Sequence, residues 1–135
     1  MAMFERGKTY KRAYISERLG GGVQDYLPHV GGRITYGAFS LDLNPQAPAV
    51  VLPGDGPEIM KWARVFADQQ QAIPVFIKKR SNEWTYMGEY RCAELIEDVE
   101  VIAVHAHKTG RDDISMVLKL RRERDSHDQH SMSNG

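Results

Sequence analysis

The sequence is poor in the features that would assign it to a chemistry at once. A single cysteine, Cys92, stands among 135 residues, which excludes an internal disulfide framework and suits a reducing, cytoplasmic setting. No apolar run approaches the roughly 20 residues needed to cross a bilayer, and the Met1–Lys11 start lacks the apolar core of a signal peptide. Charge of one sign is missing too. With 18 basic and 18 acidic residues the net charge is zero, so no overall field draws the chain to nucleic acid.

Catalytic patterns are equally scarce. Gly54-Asp55-Gly56-Pro57 is too short for a phosphate loop and carries a proline. The histidines are His29, His105, His107, His127 and His130. His105 and His107 would share one face of a strand, a metal-pair spacing, but nothing close in sequence completes a four-ligand set. Cys92 has no histidine beside it and reads as a buried structural thiol. Asp42, Asp55 and Glu58 are the carboxylates a nuclease would use, yet no Asp/Glu-x-Lys tripeptide follows on a strand. The expectation is a binding module with no catalytic residue, metal or cofactor.

What is present is an ordinary globular composition, 41% apolar and 27% charged, sufficient for one domain over residues 1–122. Residues 123–135, including Asp125-Ser126-His127-Asp128-Gln129-His130, have little to bury and are expected to be a disordered tail. Basic residues are unevenly spread. Residues 1–33 hold Arg6, Lys8, Lys11, Arg12, Arg18 and Arg33 against Glu5, Glu17 and Asp25, and Lys78-Lys79-Arg80 forms a second knot. Such runs are either solvated faces or a local groove for phosphates.

Element signals are clear in the middle of the chain. Ser16 is a candidate cap for a short helical turn that Gly20-Gly21-Gly22 ends, and the loop to Tyr26 should be mobile or tightly turning. Arg33–Phe39 reads as a strand, Asn44–Pro48 as a turn and Ala49–Leu52 as a short strand. Pro57 at a first helical position, then Ile59, Trp62, Ala63 and Phe66 at helical spacing, predicts an amphipathic helix over Pro57–Gln71. Ile73–Lys79, with Pro74 tolerable at an edge, turns at Ser81-Asn82 into a strand over Trp84–Arg91. Ala93–His105 reads as a further strand, bulged near Glu97-Asp98, and Lys108–Arg111 as a hairpin turn into Ile114–Leu120. The predicted fold is α+β: one curved, partly barrel-like sheet with a single main helix.

An ordered series of short motifs goes beyond this. It runs Gly7-Lys8-Thr9-Tyr10-Lys11-Arg12, Ile15, Leu19-Gly20-Gly21 and Gln24, then Phe39-Ser40-Leu41-Asp42, Leu52–Pro57, and Trp84-Thr85-Tyr86-Met87-Gly88-Glu89-Tyr90. Over residues 4–91 the series resembles the SRA-like (SET and RING associated, or YDG) domains, especially the bacterial branch fused to HNH nucleases in McrA-type, modification-dependent restriction. The chain shows no HNH module, so the resemblance implies a reader without a nuclease. It implies double-stranded DNA as partner, with a modified base, 5-methylcytosine first, flipped into a pocket. On the family pattern Phe39 would stack on the base and Asp42 would accept from its amino group. Eukaryotic relatives place a tyrosine before a Thr-Gly-Ser-Gly-like turn; here Leu52 stands there, followed by Pro53 and Gly54, and Tyr36 is a candidate substitute. The implied gap-filling loop is Gly21-Gly22-Val23-Gln24-Asp25-Tyr26. Phosphate contacts would come from Lys8, Lys11, Arg12, Arg18, Arg33, Lys78, Lys79 and Arg80.

By residue chemistry alone, Phe39 can also be a core residue and Asp42 a turn carboxylate. Alternative functions are a reader of phosphorothioate DNA, a metal-dependent nuclease or hydrolase around Asp42, Asp55 and Glu58, and a protein-interaction domain.

Overall fold

The computed structural model describes residues 3–123. The elements in chain order are β1 (Thr9–Tyr10), α1 (Arg12–Leu19), β2 (His29–Val30), β3 (Arg33–Ile34), β4 (Gly37–Phe39) and β5 (Val50–Val51). They continue with α2 (Pro57–Gln69), β6 (Ile73–Arg80), β7 (Glu83–Ile96), α3 (Val99–Thr109) and β8 (Val117–Glu123). The main sheet has the order β4-β6-β7-β8-β5, with β1 also paired to β7, while β2 and β3 form a separate ribbon. Among the described residues, only β4 and β6 pair in parallel. The fold is therefore α+β as expected, with a sheet that is not closed into a barrel.

Alternation along the central strands explains why the sheet is covered on both faces. Val75 and Ile77 of β6 and Phe39 of β4 face a core with Ala63 and Phe66 of α2, Leu118 of β8 and Met116 just before it. Phe76 of β6 and Ala38 of β4 face the opposite cluster, with Ile15 of α1, Phe4, Trp84 and Tyr86. A one-residue slip would exchange these sets, so the register is strongly specified. Helix α2 is amphipathic as its spacing predicts: Ala63 and Phe66 are buried, Pro57 opens the helix, and Gln70 ends it in a left-handed conformation at φ 51°.

The hairpin between β6 and β7 turns at Ser81-Asn82, with Asn82 at φ 55°. Pro74 does not lie on an edge strand. It is tolerated because β4 begins to pair with β6 only at Val75, so no ladder partner meets the missing amide. The expected strand over Arg33–Phe39 divides into β3 and β4. Ser16 does not cap α1; it lies within the helix, where its hydroxyl meets that of Tyr36, while Gly20 ends the helix by donating to the Ser16 carbonyl. The Gly20–Tyr26 loop turns tightly and is packed: a Cβ on Gly21 (φ 100°) would come within 2.5 Å of Pro28 Cβ.

The segment after residue 92 differs most from expectation. β7 continues unbroken to Ile96, with its extra residue at Ala93 rather than near Glu97-Asp98. Val99–Thr109 is a helix, not a strand. Asp98 Oδ1 accepts from the amides of Glu100 and Val101 at 2.8 and 3.2 Å, and Gly110 closes the helix at φ 74°. These caps outweigh the β propensity of Val99, Val101, Ile102 and Val104. Lys108–Arg111 is accordingly a helix end, not a hairpin. Three helices are present among the described residues, of which α2 is the longest. β8 runs to Glu123, one residue past the expected domain boundary; the remainder of the expected tail, with His127 and His130, lies outside the described residues.

Candidate functional site

The loops at one end of the sheet enclose an open cavity of about 420 Å³. One side is the segment Val23–Tyr26. The facing side is Leu52-Pro53-Gly54, where the chain leaves β5. Leu43 and Asn44 contribute from the loop after β4, Ile59 from the first turn of α2, Lys78 and Trp84 from the β6–β7 hairpin, and Arg111 and Asp113 from the segment after α3.

The Leu52 side is rigidly built. Asn44, 6% exposed, accepts from the Leu52 amide at 2.7 Å and donates to the Ser40 carbonyl at 3.2 Å. Ser115 binds the Pro53 carbonyl through its amide at 3.0 Å and the Gly54 carbonyl through its hydroxyl at 2.7 Å. Arg111 joins three segments. Its Nη1 donates to the carbonyls of Leu43 and Leu52 at 2.9 and 2.8 Å, and its Nε and Nη2 hold both oxygens of Asp113 at 2.9 and 3.1 Å. A bidentate pair of this kind fixes the carboxylate's orientation. Hydrogen bonds from Arg111 hold the Asp113 carboxyl below its ordinary pKa, so a half-exposed anion stands at the cavity wall. Gly54 makes room for it: a Cβ there would lie 2.8 Å from Asp113 Oδ2.

The opposite side is organised by Arg12. Although expected on phosphate, this residue is turned inward and is 8% exposed. Its Nε donates to the Tyr36 hydroxyl at 3.1 Å, and its Nη2 to the carbonyls of Gly22 and Asp25 at 3.0 and 2.9 Å. The guanidinium also lies 4.9 Å from the Trp84 ring centroid. Tyr26 donates its phenol proton to the Ile59 carbonyl at 2.6 Å, and burial raises its pKa far above the ordinary value, so it remains a neutral donor.

Not every residue expected in the pocket lines it. Leu52, Pro53 and Gly54 do, and Val23, Gln24, Asp25 and Tyr26, expected in the gap-filling loop, line the same cavity. Tyr36 is fully buried beneath, bonded to Arg12 and Ser16. Phe39 is 1% exposed and packs behind the cavity, its ring 6.4 Å from that of Tyr26. Gly21 and Gly22 shape the loop without lining the cavity. Asp42 is exposed in an adjoining groove of about 330 Å³ with Leu41, Lys79, Arg80 and Ser81; Ser40 and Lys78 border both spaces.

The expected phosphate contacts are dispersed. Lys78, Lys79 and Arg80 stand together at this groove. The Arg12 amide donates to the Asn82 side chain, which brings the backbone next to Lys11 to the hairpin turn. Lys8 is exposed and paired with Glu5 at 2.6 Å. Arg18 lies over the Tyr14 ring. Arg33 belongs to the ribbon held by Gln69 at the C-terminal end of α2, whereas the cavity meets the first turn of that helix. Among the residues missed by sequence reasoning are Arg111, Asp113 and Asn44. Arg111 lies 59 positions from Leu52, and no local pattern marks such a pairing.

His105 and His107 fall on a helix, where two residues correspond to about 200° of rotation, so they do not share a face. Among the described residues no group of three or more His, Cys, Asp or Glu side chains is placed to hold a metal ion. Burial pushes the Cys92 thiol up to about 11, which keeps it protonated and unreactive at neutral pH. Among those residues, no helix is long and apolar enough to cross a membrane.

The sequence model of a family described as "Domain of unknown function (DUF6697)" matches residues 9–110. The chain belongs to that family. No curated protein matches it significantly. Among solved structures, the SUVH5 SRA domain in complex with hemi-methylated CG DNA is similar, with a TM-score of 0.61, 16% identity and coverage of 93% of this chain and 92% of that one. The SUVH5 SRA complex with methylated CHH DNA gives a TM-score of 0.57, 14% identity and 91% coverage of each chain. The Type IV phosphorothioation-dependent restriction endonuclease ScoMcrA gives 0.51 at 14% identity, covering 87% of this chain and 27% of that one. The family member described here thus has an SRA-like fold.

Proposed function

We propose that this chain binds double-stranded DNA carrying a modified base, 5-methylcytosine first, and takes that base out of the stack into the cavity between Tyr26 and Leu52-Pro53-Gly54. The observation that carries the reading is a preformed cavity whose wall holds a carboxylate, Asp113, fixed by Arg111. A flipped cytosine offers its exocyclic amino group to such an acceptor. The SRA domains of similar fold were solved on methylated DNA, which supports the partner class. Lys79 and Arg80 supply phosphate contacts beside the cavity, with Lys78 at its border. Phe39 backs the aromatic wall at Tyr26, and Asp42 lies among the phosphate-binding cations.

The test is the affinity for matched modified and unmodified duplexes, measured for Asp113→Asn and Asp42→Ala. Asp113→Asn is expected to weaken binding by about 1–3 kcal/mol for any cytosine that enters the cavity, since the amino group it meets is common to the modified and the unmodified base. Asp42→Ala, which removes an anion from a cationic groove, is expected to tighten binding to both duplexes alike. If Asp42→Ala weakened binding in that way and Asp113→Asn did not, Asp42 would be the acceptor. Equal affinity of the unaltered protein for both duplexes would refute base reading altogether.

A second reading, recognition of a phosphorothioate backbone, is favoured by one feature. Val23, Leu41 and Leu43 are about half exposed around the cavity and groove, an apolar rim that suits sulfur, and ScoMcrA shares the fold. A fluorescent base analogue at the modified position separates the two, because only extrusion from the stack brightens it.

A further inference from the structure

We infer that a second cavity, which shares the Tyr26 wall with the first, binds an alkylammonium ion that displaces the chain's own Lys61. This stands apart from the base-pocket reading, and its experiment contains no DNA.

The cavity, of about 390 Å³, opens where the loop before β2 meets the first turns of α2. Asp25, Tyr26 and Ile59 border both cavities, so the 2.6 Å bond from the Tyr26 hydroxyl to the Ile59 carbonyl belongs to the wall between them. The other sides are aromatic and charged. His29 stacks on the Trp62 indole, with centroids 3.5 Å apart and planes inclined by 15°. Lys61 Nζ lies over the same indole, 4.8 Å from its centroid. An ammonium there is attracted by the negative face of the ring. Glu58 stands one turn before Lys61, a spacing at which the two can pair. Lys61 nevertheless forms no ion pair with any described residue and rests on the ring instead. It marks where the ammonium of a ligand would sit.

The unspent groups decide the charge of that ligand. The Tyr26 hydroxyl is committed to Ile59, and His29 Nδ1 lies 3.1 Å from the Leu27 carbonyl. The Asp25 and Glu58 carboxylates line the cavity, and neither bonds to any described residue. Lys61 is exposed, so its ammonium can swing into water along its flexible stem. Two anions and an indole face then stand without a cation between them. That arrangement opposes a phosphate or carboxylate ligand and suits an ammonium. Size agrees. At roughly 30 Å³ per heavy atom, the volume of a water molecule in the liquid, the cavity has room for about thirteen, whereas choline brings about seven and spermidine about ten.

The experiment follows the Trp62 indole N–H resonance by NMR while choline, spermidine or dimethylbutanol, the uncharged carbon analogue of choline, is added to the full chain. Choline and spermidine are expected to shift it saturably, and dimethylbutanol to bind about tenfold more weakly than choline. Whichever ammonium binds more tightly identifies the source, a quaternary head or a polyamine that donates N–H groups to the carboxylates. Glu58→Gln should weaken both by about threefold, and Lys61→Ala, which removes the competitor, should tighten both by about threefold. Both side chains are exposed, so these variants keep the fold. No shift with either ammonium, dimethylbutanol bound as tightly as choline, or an affinity unchanged or lowered by Lys61→Ala would overturn the inference and leave the base-reading proposal untouched.

Discussion

Arg111 and Asp113 illustrate how one buried cation can assemble a site. With a side chain only 12% exposed, Arg111 fastens loops that the chain visits at Leu43, Leu52 and Asp113. Arg111→Ala should destabilise the protein by about 2–4 kcal/mol in urea unfolding, because two carbonyls lose their donor and a cavity opens. The Asp113 carboxyl, held below 3.8 by Arg111, contributes stability at higher pH and loses it as pH falls through its lowered folded-state value. In Arg111→Ala its NMR titration should therefore move up toward the ordinary aspartate range, and that contribution should vanish; half exposure keeps it small. Arg12 has a matching role opposite. Arg12→Lys cannot reproduce a fork that reaches Tyr36, Gly22 and Asp25 together, and is expected to raise hydrogen exchange across residues 22–25 even where the fold survives.

At the level of elements, α2 and the β6–β7 hairpin were legible because pattern and punctuation agree. Pro57, the apolar spacing through Phe66, and the turn at Ser81-Asn82 all point to the observed structure. α3 was not legible, because two signals disagree there: a β-branched run inside, and Asp98 and Gly110 at the ends. Side-chain alternation cannot weigh a cap against a strand partner, and the strand expected to pair back with residues 97–105 pairs instead, as β8, with Glu89–Ile96 of β7. The cap is thus a sensitive point. Asp98→Ala should cost about 1 kcal/mol, seen as a lowered midpoint in thermal unfolding, with the first turn of α3 exchanging fastest.

For the whole molecule, zero net charge conceals a local concentration of cations at Lys78, Lys79 and Arg80 beside the cavity. Association should therefore depend on salt through few contacts. Removing Lys79 or Arg80 is expected to reduce the slope of log affinity against log salt by about one each, with little effect on discrimination between bases. The sequence by itself determined the α+β class, the amphipathic α2 and the central hairpin, because each depends on residues near one another in the chain. Tertiary structure alone decided that Phe39 lies behind the cavity and Asp42 outside it. It also decided that Arg12 faces inward, and that the carboxylate at the wall comes from Asp113. Strand direction and long-range pairing set where a side chain points, and a spacing of three residues between Phe39 and Asp42 is the same whether they face one space or two.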